Sequence, residues 1–158
     1  MSIFQNLALA GLAAVGLAAC GGSSGSSIST KPLAGTVNGQ PWMFVDGETD
    51  FFLSSNPGDH FFAILYDTPV VASCTVADPP LSKGHLILEI PKMPGVYARG
   101  GTFVFPDPTT GRDDNDIATT GTLEVTSVSS TQITGGVKMS FDAKNTVDGQ
   151  FTISVCQQ

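Results

Sequence analysis

Positive charge is scarce in this chain. Seven Lys and Arg stand against fourteen Asp and Glu, a formal net charge of −7 over 158 residues. A nucleic-acid backbone needs a basic stripe to neutralise its phosphates, so that class of partner is excluded. No polybasic segment is present to hold anionic lipid headgroups either. Helical periodicity is missing as well: Gly, Pro or Thr interrupts every stretch that begins to place apolar residues at i, i+3, i+4 and i+7. No apolar run reaches the roughly twenty residues that a membrane-spanning helix requires.

Chemistry-bearing motifs are equally thin. The sequence contains no G-x-S-x-G elbow, no phosphate-cradling glycine loop, and no C-x-x-C, H-x-H or H-x-x-x-H spacing. Its two histidines, His60 and His85, each fall at the start of a predicted strand rather than in a ligand cluster. The expectation is therefore a protein that is not an enzyme.

What is there begins at the N-terminus. Leu7 to Ala19 is uninterrupted by charge and too short to span a bilayer, the length of a signal-peptide core. Residues 1–6 carry no Lys or Arg, which departs from the usual signal pattern. The apolar run ends at Cys20, and a tract of Gly and Ser follows at once. That tract lacks the apolar side chains needed to offset the entropy of ordering. Ten such residues span roughly 17 Å on average as a flexible coil. Residues 1–19 are thus read as a signal segment, 20–31 as anchor and linker, and 32–158 as one domain.

Leu17-Ala18-Ala19-Cys20 resembles the lipobox of bacterial lipoproteins. The resemblance implies lipidation of Cys20 and a membrane-tethered protein of the cell envelope. Two or more acyl chains hold stably where one holds only marginally. Gly21 stands where an Asp would signal retention at the inner membrane, so the same resemblance implies the outer membrane of a diderm cell.

Period-two alternation recurs through the domain. Leu86, Leu88 and Ile90 alternate with Ile87 and Glu89; Leu123 and Val125 with Glu124 and Thr126; Val137, Met139 and Phe141 with Lys138, Ser140 and Asp142; Phe151, Ile153 and Val155 with Thr152 and Ser154. One face is then buried and the other wet. Turn signals punctuate these runs, Asn38-Gly39 above all, because both positions tolerate φ > 0. The pattern predicts strands near 33–38, 41–46, 60–67, 70–76, 84–90, 101–105, 119–128, 132–142 and 147–156, with Gly135-Gly136 bending the eighth. Strands at this spacing predict an all-β fold, an antiparallel β-sandwich of immunoglobulin-like or jelly-roll-like kind, with a barrel as the alternative.

Three cysteines are present. With Cys20 assigned to lipid, Cys74 and Cys156 remain as an even pair in an oxidising compartment and are predicted to form a disulfide. Asp107, Asp113, Asp114 and Asp116, with Asn115, form the densest acidic cluster and are the candidate calcium ligands. Their spacing does not follow the EF-hand pattern, and a solvated acidic turn is the competing reading. Asp46, Glu48 and Asp50 form a weaker cluster. No other cofactor is expected. The aromatic residues, including Phe51-Phe52 and Phe61-Phe62, are read chiefly as core.

Gly35-Thr36-Val37-Asn38-Gly39-Gln40-Pro41-Trp42, followed later by Gly121-Thr122-Leu123-Glu124-Val125 and Ile133-Thr134-Gly135-Gly136, resembles a class of uncharacterised bacterial lipoproteins. The resemblance implies a β-sandwich on a lipid anchor and brings no catalytic residues. The function expected is a non-enzymatic binding or structural module whose partner is an envelope protein or a glycan. A calcium-supported carbohydrate-binding module and a small envelope hydrolase are the alternatives.

Overall fold

The computed structural model describes residues 27–50, 58–70, 74, 84–107 and 109–156. Cys20, the lipobox, Phe51-Phe52 and most of the strand predicted at 70–76 lie outside them. The described residues form eleven strands and no helix: β1 (Ala34–Val37), β2 (Gln40–Met43), β3 (Asp46–Thr49), β4 (His60–Tyr66), β5 (His85–Pro91), β6 (Gly95–Ala98), β7 (Gly101–Pro106), β8 (Asp113–Ala118), β9 (Gly121–Val128), β10 (Gln132–Ser140) and β11 (Thr146–Ser154).

All eleven belong to one sheet, ordered β6-β9-β10-β11-β3-β4-β5-β7-β8, with β1 paired to β11 and β2 paired to β1. The sheet curls into a half-barrel. The all-β expectation holds, but the sheet is mixed rather than purely antiparallel. β11 meets β3 in parallel through Ser154 and Glu48, while every other strand pairing is antiparallel. β11 is long enough to accept two neighbours on one edge, β1 beside its first residues and β3 beside its last.

The curl comes from strands that change walls. β6 pairs with β9, yet the next strand, β7, pairs with β5 and β8 on the other side of the core. Arg99 and Gly100 make that corner. A Cβ on Gly100 would sit 2.2 Å from the Ala118 carbonyl oxygen, so only glycine lets the two crossings lie together. One wall is β6-β9-β10-β11 with β1 and β2; the other is β3-β4-β5-β7-β8. Between them lie Leu86, Leu88 and Ile90 from β5, Leu123 and Val125 from β9, Val137 and Met139 from β10, and Phe151 and Ile153 from β11, all buried. These are the alternating residues of the sequence pattern. Phe103 ties the walls together, meeting the Trp42 ring edge-on at 5.2 Å and the Phe141 ring at 5.8 Å. Trp42 Nε1 donates to the Gly84 carbonyl at 3.1 Å, which satisfies its one polar atom in the core.

Two turn readings are met in detail. Asn38 and Gly39 have φ of 50° and 72°, the left-handed pair of a two-residue hairpin, and Val37 faces Gln40 across it. The register between β9 and β10 slips between Thr134 and Gly135, the bend expected at Gly135-Gly136. The single strand predicted at 41–46 is in fact broken: after β2 the Phe44 amide bonds the Leu33 carbonyl and the Val45 amide bonds Tyr66, carrying the chain from one wall to the other.

Candidate functional site

Four features of the described residues bear on function: the way the chain enters the domain, the disulfide, an acidic node at the open edge of the sheet, and a groove over β4, β5, β7 and β8.

The entry is fixed by hydrogen bonds to β11. The Gln150 amide donates to the Lys31 carbonyl at 2.8 Å, and the Leu33 amide donates to the Gln150 carbonyl at 2.8 Å. Ahead of these, Gln150 Nε2 donates to the Ser29 carbonyl at 2.9 Å and the Ser29 amide donates to Asp148 Oδ1 at 2.7 Å. Leu33 is fully buried and anchors the strap from within. Gly149, with φ of 148°, makes room for it: a Cβ there would meet the Leu33 Cα at 2.6 Å. Nothing in the sequence pattern marks this contact, because on the strap's side every hydrogen bond is made by a main-chain group.

Cys74 and Cys156 are disulfide-bonded, with Cα atoms 5.1 Å apart. The bond ties the end of β11 to a position between β4 and β5. Glu48 lies against it, a carboxylate only 8% exposed. Its Oε2 accepts from the Cys74 amide at 2.6 Å and lies 3.6 Å from the Cys156 sulfur. The Cys156 amide in turn donates to Thr49 Oγ1 at 2.8 Å. Among the described residues, Glu48, Cys74 and Cys156 form the one group of three His, Cys, Asp or Glu with ligand atoms within 4.8 Å of one another.

The four candidate calcium ligands do not form such a group. Asp107 closes the turn between β7 and β8, its carboxylate accepting from the Thr109 amide and the Thr110 hydroxyl, each at 2.7 Å. Those bonds favour its ionised form and lower its pKa, the Thr110 hydroxyl contributing most. Asp113, Asp114 and Asp116 are not in a loop at all: they lie on β8, opposite Pro106, Phe105 and Phe103. Alternation turns Asp114 and Asp116 to the same side as the buried Phe105 and Phe103, and Asp113 to the other.

Asp116 instead meets Asp142 and Asn145, from the turn between β10 and β11. Asn145 is 3% exposed. Its Nδ2 donates to Asp116 Oδ2 and, at 3.1 Å, to Asp142 Oδ2. Its Oδ1 accepts from the Asn38 amide, and its own amide donates to Asp142 Oδ1 at 2.7 Å. One side chain thus joins the β1–β2 hairpin, the β10–β11 turn and the edge strand β8. Burial raises the Asp116 pKa, and the nearby Asp142 and Asp114 carboxylates raise it further, against the opposing Asn145 bond. Asp142 moves the other way, chiefly because the Lys144 amide donates to it.

The histidines sit far apart on one ladder, His60 opposite Pro91 and His85 opposite Tyr66. His60 Nδ1 is 2.9 Å from Asp59 Oδ1, and that contact lowers the Asp59 pKa.

Two grooves lie among the described residues. One of about 500 Å³ crosses Ala34, Thr122, Lys138, Ser140, Thr146 and Asp148, with Lys138 and Asp148 paired at 3.3 Å. The other, of about 280 Å³, lies on the far wall over Phe62, Ile87, Thr102 and Ile117, flanked by Glu89 and Arg99. Ile117 is 64% exposed there. Compared with known proteins, the chain shows no match to a family model, a curated protein or a solved structure.

Proposed function

We propose that this chain is a lipid-tethered, non-enzymatic binding module of a bacterial cell envelope, anchored through Cys20 at the outer membrane. The observation that carries the reading is the strap. The domain takes hold of the chain at Ser29, nine residues after the lipobox cysteine, and the Gly/Ser tract occupies most of the interval. A thiol-linked lipid followed by a short Gly/Ser spacer and an abrupt, hydrogen-bonded entry is the arrangement a tethered module needs. The strap runs along β11, whereas the groove over Phe62, Ile87 and Ile117 is built from β4, β5, β7 and β8. Its apolar floor and its charged rim of Glu89 and Arg99 suit an envelope protein or glycan. The finer fold reading, a sandwich of immunoglobulin-like or jelly-roll-like kind, belongs to the same proposal; the two facing walls support it.

The test is Cys20→Ser. The variant is expected to move from the membrane fraction to the soluble envelope fraction, as read by fractionation and by mass spectrometry of the N-terminus. Equal sedimentation of variant and parent would remove the tether from the account.

The acidic node favours calcium support as a second reading. Asp142 and Asp114 each oppose the ionisation of Asp116 beside the buried Asn145 amide, and a divalent cation would relieve that repulsion. Calcium should then raise the melting temperature of the native protein and leave that of Asp116→Asn unchanged. An equal response in both proteins would discard this reading.

A further inference from the structure

We propose that reduction of the Cys74–Cys156 disulfide creates a metal site of the zinc class, with both thiolates and the Glu48 carboxylate as ligands. The inference is independent of the tether. A tetrahedral zinc ion with bonds of about 2.3 Å to sulfur and about 2.1 Å to oxygen sets ligand-to-ligand edges of roughly 3.5–3.8 Å. Glu48 Oε2 and the Cys156 sulfur already stand 3.6 Å apart. Both are held in place. Glu48 sits where β3 meets β11, its Oε2 also bonded to the Cys74 amide. Cys156 is buried and its amide is bonded to Thr49. Only the Cys74 sulfur has to move, from bonding distance to an edge of that length. Cys74 is the exposed member of the three, which leaves the fourth position open to water.

The chemistry balances with a dithiol reductant. Two electrons and two protons pass to the cysteine sulfurs, the S–S bond breaks, and the reductant leaves as its own disulfide. A zinc ion then displaces both thiol protons, which go to solvent. Its two positive charges meet two thiolates and one carboxylate. Thiolate ligands select zinc over calcium or magnesium. A disulfide oxidant that takes two electrons from the thiolates, and leaves as its dithiol with two protons from solvent, reforms the S–S bond and expels the metal, so the site exists in one redox state alone.

The full chain carrying Cys20→Ser keeps Cys74 and Cys156 as its only thiols. It would be reduced with a trialkylphosphine, which is converted to its oxide by water, and titrated with cobalt(II) as the spectroscopic probe. The expected result is a thiolate-to-cobalt charge-transfer band that saturates at one metal per chain and is abolished by zinc. The oxidised protein should give none, and Glu48→Gln should bind at least tenfold more weakly. A reduced protein without the band, a stoichiometry of two chains per metal, or undiminished affinity in Glu48→Gln would each overturn the proposal. If reduction unfolds the domain, zinc must restore its β-type circular dichroism, and failure to do so would overturn it as well.

Discussion

Asn145 shows how much one side chain can organise. Buried and fully engaged, it receives the Asn38 amide and gives its own hydrogens to two carboxylates from different parts of the chain. The cost falls on Asp116, whose ionisation is opposed by burial and by its neighbours. A carboxyl with a raised native pKa binds its proton more tightly folded than unfolded. Its contribution to stability is complete below the ordinary aspartate value of 3.8 and is lost as pH rises through the raised native value. Asp116→Asn keeps an oxygen for Asn145 and removes the charge. The variant should therefore melt higher than the parent at neutral pH, and the gap should close on acidification, as read by thermal denaturation at a series of pH values. The acidic run itself was legible in the sequence, because four carboxylates within ten positions stand out. Its partners were not: Asp142 and Asn145 lie more than twenty residues away, and no spacing rule links an edge strand to a distant turn.

Among the elements, the strands that alternation revealed are those with one buried face, such as β5, β9, β10 and β11. The three it missed fail for separate physical reasons. β3 reads Asp-Gly-Glu-Thr, and its last three residues are all buried, so no polar-out pattern survives. β6, Gly-Val-Tyr-Ala, is only four residues between two turn signals. β8, Asp-Asp-Asn-Asp-Ile-Ala, is an edge strand, and charge on an open edge discourages pairing with another chain. Polarity that reads as a loop is there the protection of a strand. The strap along β11 gives this scale its prediction. Gly149→Ala would drive a Cβ into Leu33, and the main-chain conformation at 149 is strained for any other residue. The variant should lose amide protection and gain protease sensitivity over residues 29–33 first. Hydrogen exchange read by mass spectrometry would show it, and uniform loss across the sheet would contradict a local strap.

For the molecule as a whole, the disulfide spans a separation of 82 residues. The chain-entropy account assigns about 4.5 kcal/mol to closing a loop of that size. Replacing Cys74 and Cys156 together with Ala should lower the unfolding free energy by up to that amount, measured by urea denaturation. The fold was legible at the level of its class, since turns and alternation demand strands. Its curl was not, because corners such as Arg99-Gly100 and the parallel contact between Ser154 and Glu48 depend on what lies across the core. The strap also has a mechanical meaning. Tension on the residues before Ser29 reaches the Asp148 bond first, then Gln150, and arrives at β1 only after those have let go. A tug from outside is therefore absorbed by a sacrificial latch while the half-barrel wall behind it keeps its shape.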